Sequence, residues 1–77
     1  MNGHNLKILR KMRGYTQTDL GNVVGATKGT VSTWERGTRD PSIPTLVKLA
    51  DILDCSTDLL LRDDLLTINH LGGYKNG

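Results

Sequence analysis

The 77-residue sequence contains a single cysteine, Cys55, and two histidines, His4 and His70. One thiol cannot close an internal disulfide, and neither histidine has a Cys or His neighbour at metal-ligand spacing, so no covalent or metallic staple is expected. The longest uninterrupted apolar run is Leu59 to Leu61. That falls far below the ~20 residues that cross a bilayer, and no basic segment followed by an apolar one opens the chain. Neither a membrane span nor a signal peptide is expected, and the cytoplasm is the expected compartment. A P-loop, a zinc spacing and a His–carboxylate–nucleophile set are also missing. No enzyme, cofactor, metal site or small-molecule ligand is therefore predicted. No stretch reads as a convincing strand.

What is present fits one small domain, near the size at which an apolar core alone gives only a few kcal/mol of net stability. Its formal charge is +2, but the charge is unevenly placed. Residues 1–39 carry seven basic against two acidic side chains, a balance of +5, whereas residues 40–77 carry three against six, a balance of −3. A basic half of this kind suits a polyanionic partner.

Apolar periodicity predicts five helices. Leu6, Leu9 and Met12 recur at three-residue spacing between Asn5 and Met12, and Gly14 ends that helix. Thr16 offers an N-cap for a second, with Asp19 three residues on and Leu20, Val23 and Val24 as its stripe. Gly25 closes it. Thr27 caps a third helix that buries Val31 and Trp34 and stops at Gly37. A turn through Asp40 and Pro41 follows. From Pro44, a good first helical residue, Leu46, Leu49, Ala50, Ile52 and Leu53 form the strongest stripe. Ser56 caps a last short helix through Asp58 to Leu61. The "GAT" connection at 25–27 is so short that helices two and three must cross steeply. Gly21, which costs up to about 1 kcal/mol relative to alanine inside a helix, supplies the small residue such a crossing needs.

The run "TQTDLGNVVGATKGTVSTWERGTRDPSIPTLVKLADIL", residues 16–53, resembles the helix-turn-helix family of phage repressors, Cro proteins and xenobiotic-response-element-type bacterial regulators. The pattern comprises Thr-Gln at the helix-two start, a leucine and a small residue, the turn glycine, Glu-Arg-Gly, a proline, and Leu-x-x-Leu-Ala-x-x-Leu. With helix one and "STDLL" it covers about residues 5–61. Gly21 stands where the family usually has alanine. Asp54-Cys55 replaces a glycine and a small aliphatic residue, which makes Cys55 a small buried hydrophobe rather than a reactive thiol.

The resemblance implies an all-α, compact five-helix lambda-repressor-like DNA-binding domain over residues 1–62, with helices two and three as the helix-turn-helix. Residues 63–77 form a C-terminal tail, either a dimer contact through Leu65 to Leu71 or a loose end. With Val31 and Trp34 turned inward, Lys28, Gly29, Ser32 and Thr33 take the base-reading positions of the helix that enters the major groove. Lys28 can donate to guanine, Thr33 can bond either kind of base edge or touch a thymine methyl, and Gly29 lets the backbone come close. Arg13, Thr16, Gln17, Arg36, Thr38, Arg39 and Ser42 take phosphate-binding roles. Arg10 and Glu35 match an internal ion pair of many members.

The function so implied is sequence-specific regulation of transcription, as a homodimeric repressor on double-stranded DNA, in a bacterial or phage setting. An antitoxin-like or other protein-interaction module that retained the fold is the alternative.

Overall fold

A computed structural model describes residues 1–65. The helices are α1 (Gly3–Met12), α2 (Gln17–Val24), α3 (Lys28–Arg36), α4 (Ile43–Ile52) and α5 (Thr57–Leu61), with no strand among the described residues. Most of the tail expected to form either a dimer contact through Leu65 to Leu71 or a loose end, residues 66–77, lies outside the described residues.

Each helix begins on a side chain that accepts a backbone N–H. Thr16, Thr27 and Ser56 cap α2, α3 and α5 as the sequence suggests. Asn2 and Ser42 do the same for α1 and α4. These two caps move the predicted starts: α1 opens two residues before Asn5, and Pro44 falls within the first turn of α4, where its missing N–H costs nothing. Gly25 and Gly37 end α2 and α3 in the left-handed region, at φ 77° and 78°.

Leu6, Leu20, Val31, Leu49, Leu53 and Leu60 are fully withdrawn from water, and Trp34 joins them at 5% exposure. Trp34 is thus a core residue. Val23 and Met12, expected in the apolar stripes, are both half-exposed. At 100° per residue Val23 lies roughly 100° from the middle of the arc that Leu20, Gly21 and Val24 bury. Met12 is the last residue of its helix.

Two glycines set how closely the helices approach. A Cβ on Gly21 would lie 2.7 Å from the Ala26 carbonyl oxygen and 3.1 Å from the Thr27 carbonyl carbon, so the expected close contact is made with the turn into α3. A Cβ on Gly3 would fall inside the carbonyl groups of Trp34 and Glu35. The start of α1 therefore rests on the backbone at the end of α3.

Polar side chains tie the distant parts of the chain. Asn5 is fully buried, and its Nδ2 donates to the Leu59 carbonyl at 3.1 Å and the Asp64 carbonyl at 2.9 Å. Asn2 donates through its backbone N–H to Leu60 at 2.7 Å and through Nδ2 to Arg62 at 3.0 Å. Together they clasp α1 to α5. Arg13 donates from Nε to the Leu53 carbonyl at 2.8 Å and from Nη2 to Asp54 at 3.3 Å, satisfying carbonyls that the end of α4 leaves over. No buried side-chain nitrogen or oxygen among the described residues lacks a partner. Cys55 packs against the core. Burial pushes its thiol above the ordinary value, Arg13 opposes the change and Asp54 adds to it. A thiol so shifted is a poor nucleophile, consistent with a packing role.

Candidate nucleic-acid interface

α3 has two unlike faces. Val31 and Trp34 are buried, whereas Lys28 and Gly29 are exposed at its start and Ser32 and Thr33 are half-buried further along. Lys28 is the first helical residue, and no acidic residue stands in the first turn. A cation there opposes the helix dipole by about 0.3–1 kcal/mol. Gly29 adds its own cost, about 1 kcal/mol against alanine. Unlike Gly3 and Gly21, it has no packing reason: an added Cβ would meet only the Thr27 Oγ1, at 3.8 Å. Nor is its φ positive, as it is at Gly14, Gly25 and Gly37. Among the described glycines, Gly29 is the one that the chain's own fold does not require.

The start of α2 lies beside this tip. Lys11, Tyr15, Thr16, Gln17, Thr18 and Lys28 line one open depression together with Arg10 and Gly14. Two helix starts, with their unpaired N–H groups and partial positive charge, therefore border the same hollow as two lysines. Sequence alone gives Lys11 no role, since its only signal is that of a basic residue on the polar face of an amphipathic helix.

The Thr16 hydroxyl accepts the Asp19 N–H at 3.0 Å while Asp19 accepts the Thr16 N–H at 3.1 Å, a reciprocal capping box. Its own proton has no acceptor among the described residues and is available to an outside oxygen. Gln17, half-buried, donates from Nε2 to Glu35 Oε1 at 3.1 Å. The same carboxylate receives Arg10 through Nε at 2.5 Å and Nη2 at 3.2 Å. Arg10 Nη1 goes to the Tyr15 carbonyl at 2.8 Å. Only 8% and 4% of the Arg10 and Glu35 side chains remain exposed. The ion pair expected between helices one and three is thus present, two-pronged and nearly dry.

Other expected contacts change in kind. Thr33 donates its one hydroxyl proton to the Thr30 carbonyl at 2.6 Å, so toward a base edge it offers lone pairs and a methyl rather than a donor. Thr38 spends its proton on the Thr33 carbonyl at 3.2 Å. Ser42 accepts the Thr45 N–H at 3.4 Å and gives its proton to Thr45 Oγ1 at 3.0 Å. Neither hydroxyl keeps a donor for phosphate. Arg13 is held by the end of α4, as described above, and does not join the depression. Arg36 has one nitrogen weakly engaged, with Nε 3.4 Å from the Ser32 carbonyl, and Arg39 is exposed with no side-chain partner among the described residues. Both keep donors to spare. No group of acidic, histidine or cysteine side chains among the described residues could hold a metal, and no described helix is long and apolar enough to cross a membrane.

This arrangement has known counterparts. Residues 6–60 match the helix-turn-helix family model. The repressor protein C2 of Salmonella phage P22 is 36% identical over 67 residues, covering 87% of this chain and 31% of its own length. An HTH-type transcriptional regulator of Bacillus subtilis, YqaE, is 36% identical over 64 residues, 83% of this chain and 55% of its own. The chain thus spans about half or less of these relatives. Among solved structures, the P22 c2 repressor in complex with a synthetic operator superimposes with a TM-score of 0.75 at 35% identity, over 80% of this chain and 94% of that one. Five helices in this order, a glycine turn between α2 and α3, and a matching sequence across nearly all of them make the chain a member of the helix-turn-helix family of phage-repressor and xenobiotic-response-element-type regulators.

Proposed function

We propose that the chain is a sequence-specific DNA-binding regulator of transcription, a repressor that docks α3 in the major groove of a two-fold symmetric operator as a homodimer. The observation that carries this reading is the start of α3: Lys28 and Gly29 both work against helix stability, have no internal justification, and stand exposed beside a second helix start. A polyanion brought against that tip supplies what the isolated fold lacks. That the similar phage repressor was solved in complex with a synthetic operator supports duplex DNA as the partner.

In this reading Lys28 donates to guanine O6 or N7, and Gly29 allows the helix backbone to come close to the bases. Ser32 and Thr33 line the same face, Thr33 as an acceptor and methyl contact. Thr16, Gln17 and Lys11 hold a phosphate on one side of the groove; Arg36 and Arg39 hold the other. These latter contacts give affinity without sequence preference.

Two measurements test it. A plot of log affinity against log salt on duplex DNA should fall with the slope of several released counterions. A flat plot sinks the proposal in favour of a protein-interaction module. Selection from a random duplex pool should return a palindromic motif, and Lys28→Ala should relax preference at one position per half-site. A recovered motif without symmetry removes the dimer.

A further inference from the structure

The Arg10–Glu35 pair does more than join α1 to α3. We infer that Glu35 is a positioning residue for DNA binding: anchored by Arg10, its carboxylate fixes which way round the Gln17 amide sits and so aims the second Gln17 N–H at phosphate. This rests on the DNA-binding reading and deepens it.

The argument starts from the amide itself. The oxygen and nitrogen of a glutamine amide have nearly the same shape, so a free Gln17 presents either an acceptor or a donor to an approaching phosphate. Only the donor is useful, because a carbonyl oxygen set against a phosphate oxygen repels it. Glu35 Oε1 lies 3.1 Å from the amide nitrogen. An ionised carboxylate accepts only, so it holds the nitrogen toward itself and turns the amide oxygen elsewhere. The planar NH2 group then has one hydrogen committed and one uncommitted, on a side chain that borders the depression at the two helix starts.

Arg10 makes this arrangement tolerable for a polyanion. A bare carboxylate behind Gln17 would repel phosphate, but two guanidinium bonds at 2.5 and 3.2 Å balance its charge within the dry contact. Stability alone gives a weaker reason for the pair, because buried ion pairs are often replaceable by apolar residues without loss. The bond to Gln17 supplies a second reason. It also links three helices at one point: Arg10 on α1, Gln17 on α2 and Glu35 on α3.

A double-mutant cycle on DNA affinity tests this, using Gln17→Ala, the apolar pair replacement Arg10→Met with Glu35→Leu, and all three changes together. Affinities are read on duplex selected from a random pool, at a temperature where circular dichroism shows each variant folded. Gln17→Ala is expected to weaken binding on the order of tenfold, about what one lost charge-assisted hydrogen bond produces. The pair replacement should lose most of the same factor, and the combined variant should be no weaker than Gln17→Ala alone. Losses that multiply, or a pair replacement that binds like the parent, overturn the positioning role. If the replaced pair does not fold, the unaltered protein still decides the matter by NMR of the Gln17 side-chain amide. Addition of duplex should shift one of its two hydrogens and leave the Glu35-bonded one in place. Release of the Glu35-bonded hydrogen on DNA binding would overturn the idea. Failure of the parent to bind any duplex would instead remove the DNA-binding reading itself, a separately recognisable outcome.

Discussion

At the start of α2, Thr16 and Asp19 close a reciprocal capping box, and Asp19 lays a negative charge on the positive helix end. At the start of α3, Thr27 caps alone and the next two residues are Lys28 and Gly29. A good cap is worth about 1 kcal/mol and an acidic first turn about 0.3–1 kcal/mol more, whereas Lys28 and Gly29 together cost α3 on the order of 1–2 kcal/mol. Two adjacent helices of one motif thus obey opposite rules. The difference fits the proposed division of tasks, with α2 as a stable ledge and the tip of α3 as the part that meets DNA. Local violations of this kind cluster where a protein meets its partner.

The comparison can be broken most severely at the contact between the two helices. Gly21→Val drives a side chain into the Ala26 carbonyl and should destabilise the fold by about 1–3 kcal/mol in chemical unfolding, more than a surface change can. An unchanged midpoint would mean that the turn into α3 gives way freely. Lys28→Glu comes next. It should lower DNA affinity at least tenfold, while stabilising α3 by about 0.3–1 kcal/mol through the helix dipole. Loss of both affinity and stability would place Lys28 in the structural framework instead. Thr16→Ala should cost about 1 kcal/mol, because it opens the capping box, and should also weaken DNA binding without altering sequence preference. The smallest change is the sharpest. Gly29→Ala should raise stability by up to about 1 kcal/mol and reduce affinity for the selected operator. If stability and affinity rise together, the helix backbone at Gly29 does not approach DNA.

How much of this was legible beforehand follows the distance between partners. Thr16 with Asp19, the glycine turn and the inward phase of Trp34 are local patterns, and all three were readable. Gly21 was readable because a helix-interior glycine beside a short turn poses a packing question. The Arg10–Glu35 pair came through family resemblance, since residues 25 apart in the chain give no periodic signal of their own. The contacts of Asn5, Gly3 and Arg13 give no sequence signal for the same reason. Asn5 bonds a carbonyl 54 residues away and Arg13 one 40 residues away. Nothing in the local spacing shows that Arg13 also bonds the end of α4. For Thr33, Thr38 and Ser42 the sequence shows a hydroxyl at each position, but it does not say where the hydroxyl proton goes.

The back-bond from Thr33 to the Thr30 carbonyl has a consequence in entropy. Its side chain is already held in one rotamer before any partner arrives. Ser32 is short, Gly29 has no side chain to order, and the left-handed cap at Gly37 fixes the far end of the helix. Of the four residues assigned to base reading, only Lys28 brings several freely rotating bonds to the surface. In the proposed docking, the side-chain ordering penalty of base reading, up to about 2 kcal/mol for a long flexible residue, therefore falls almost entirely on one lysine, and the remaining cost lies with the phosphate-binding Lys11, Arg36 and Arg39.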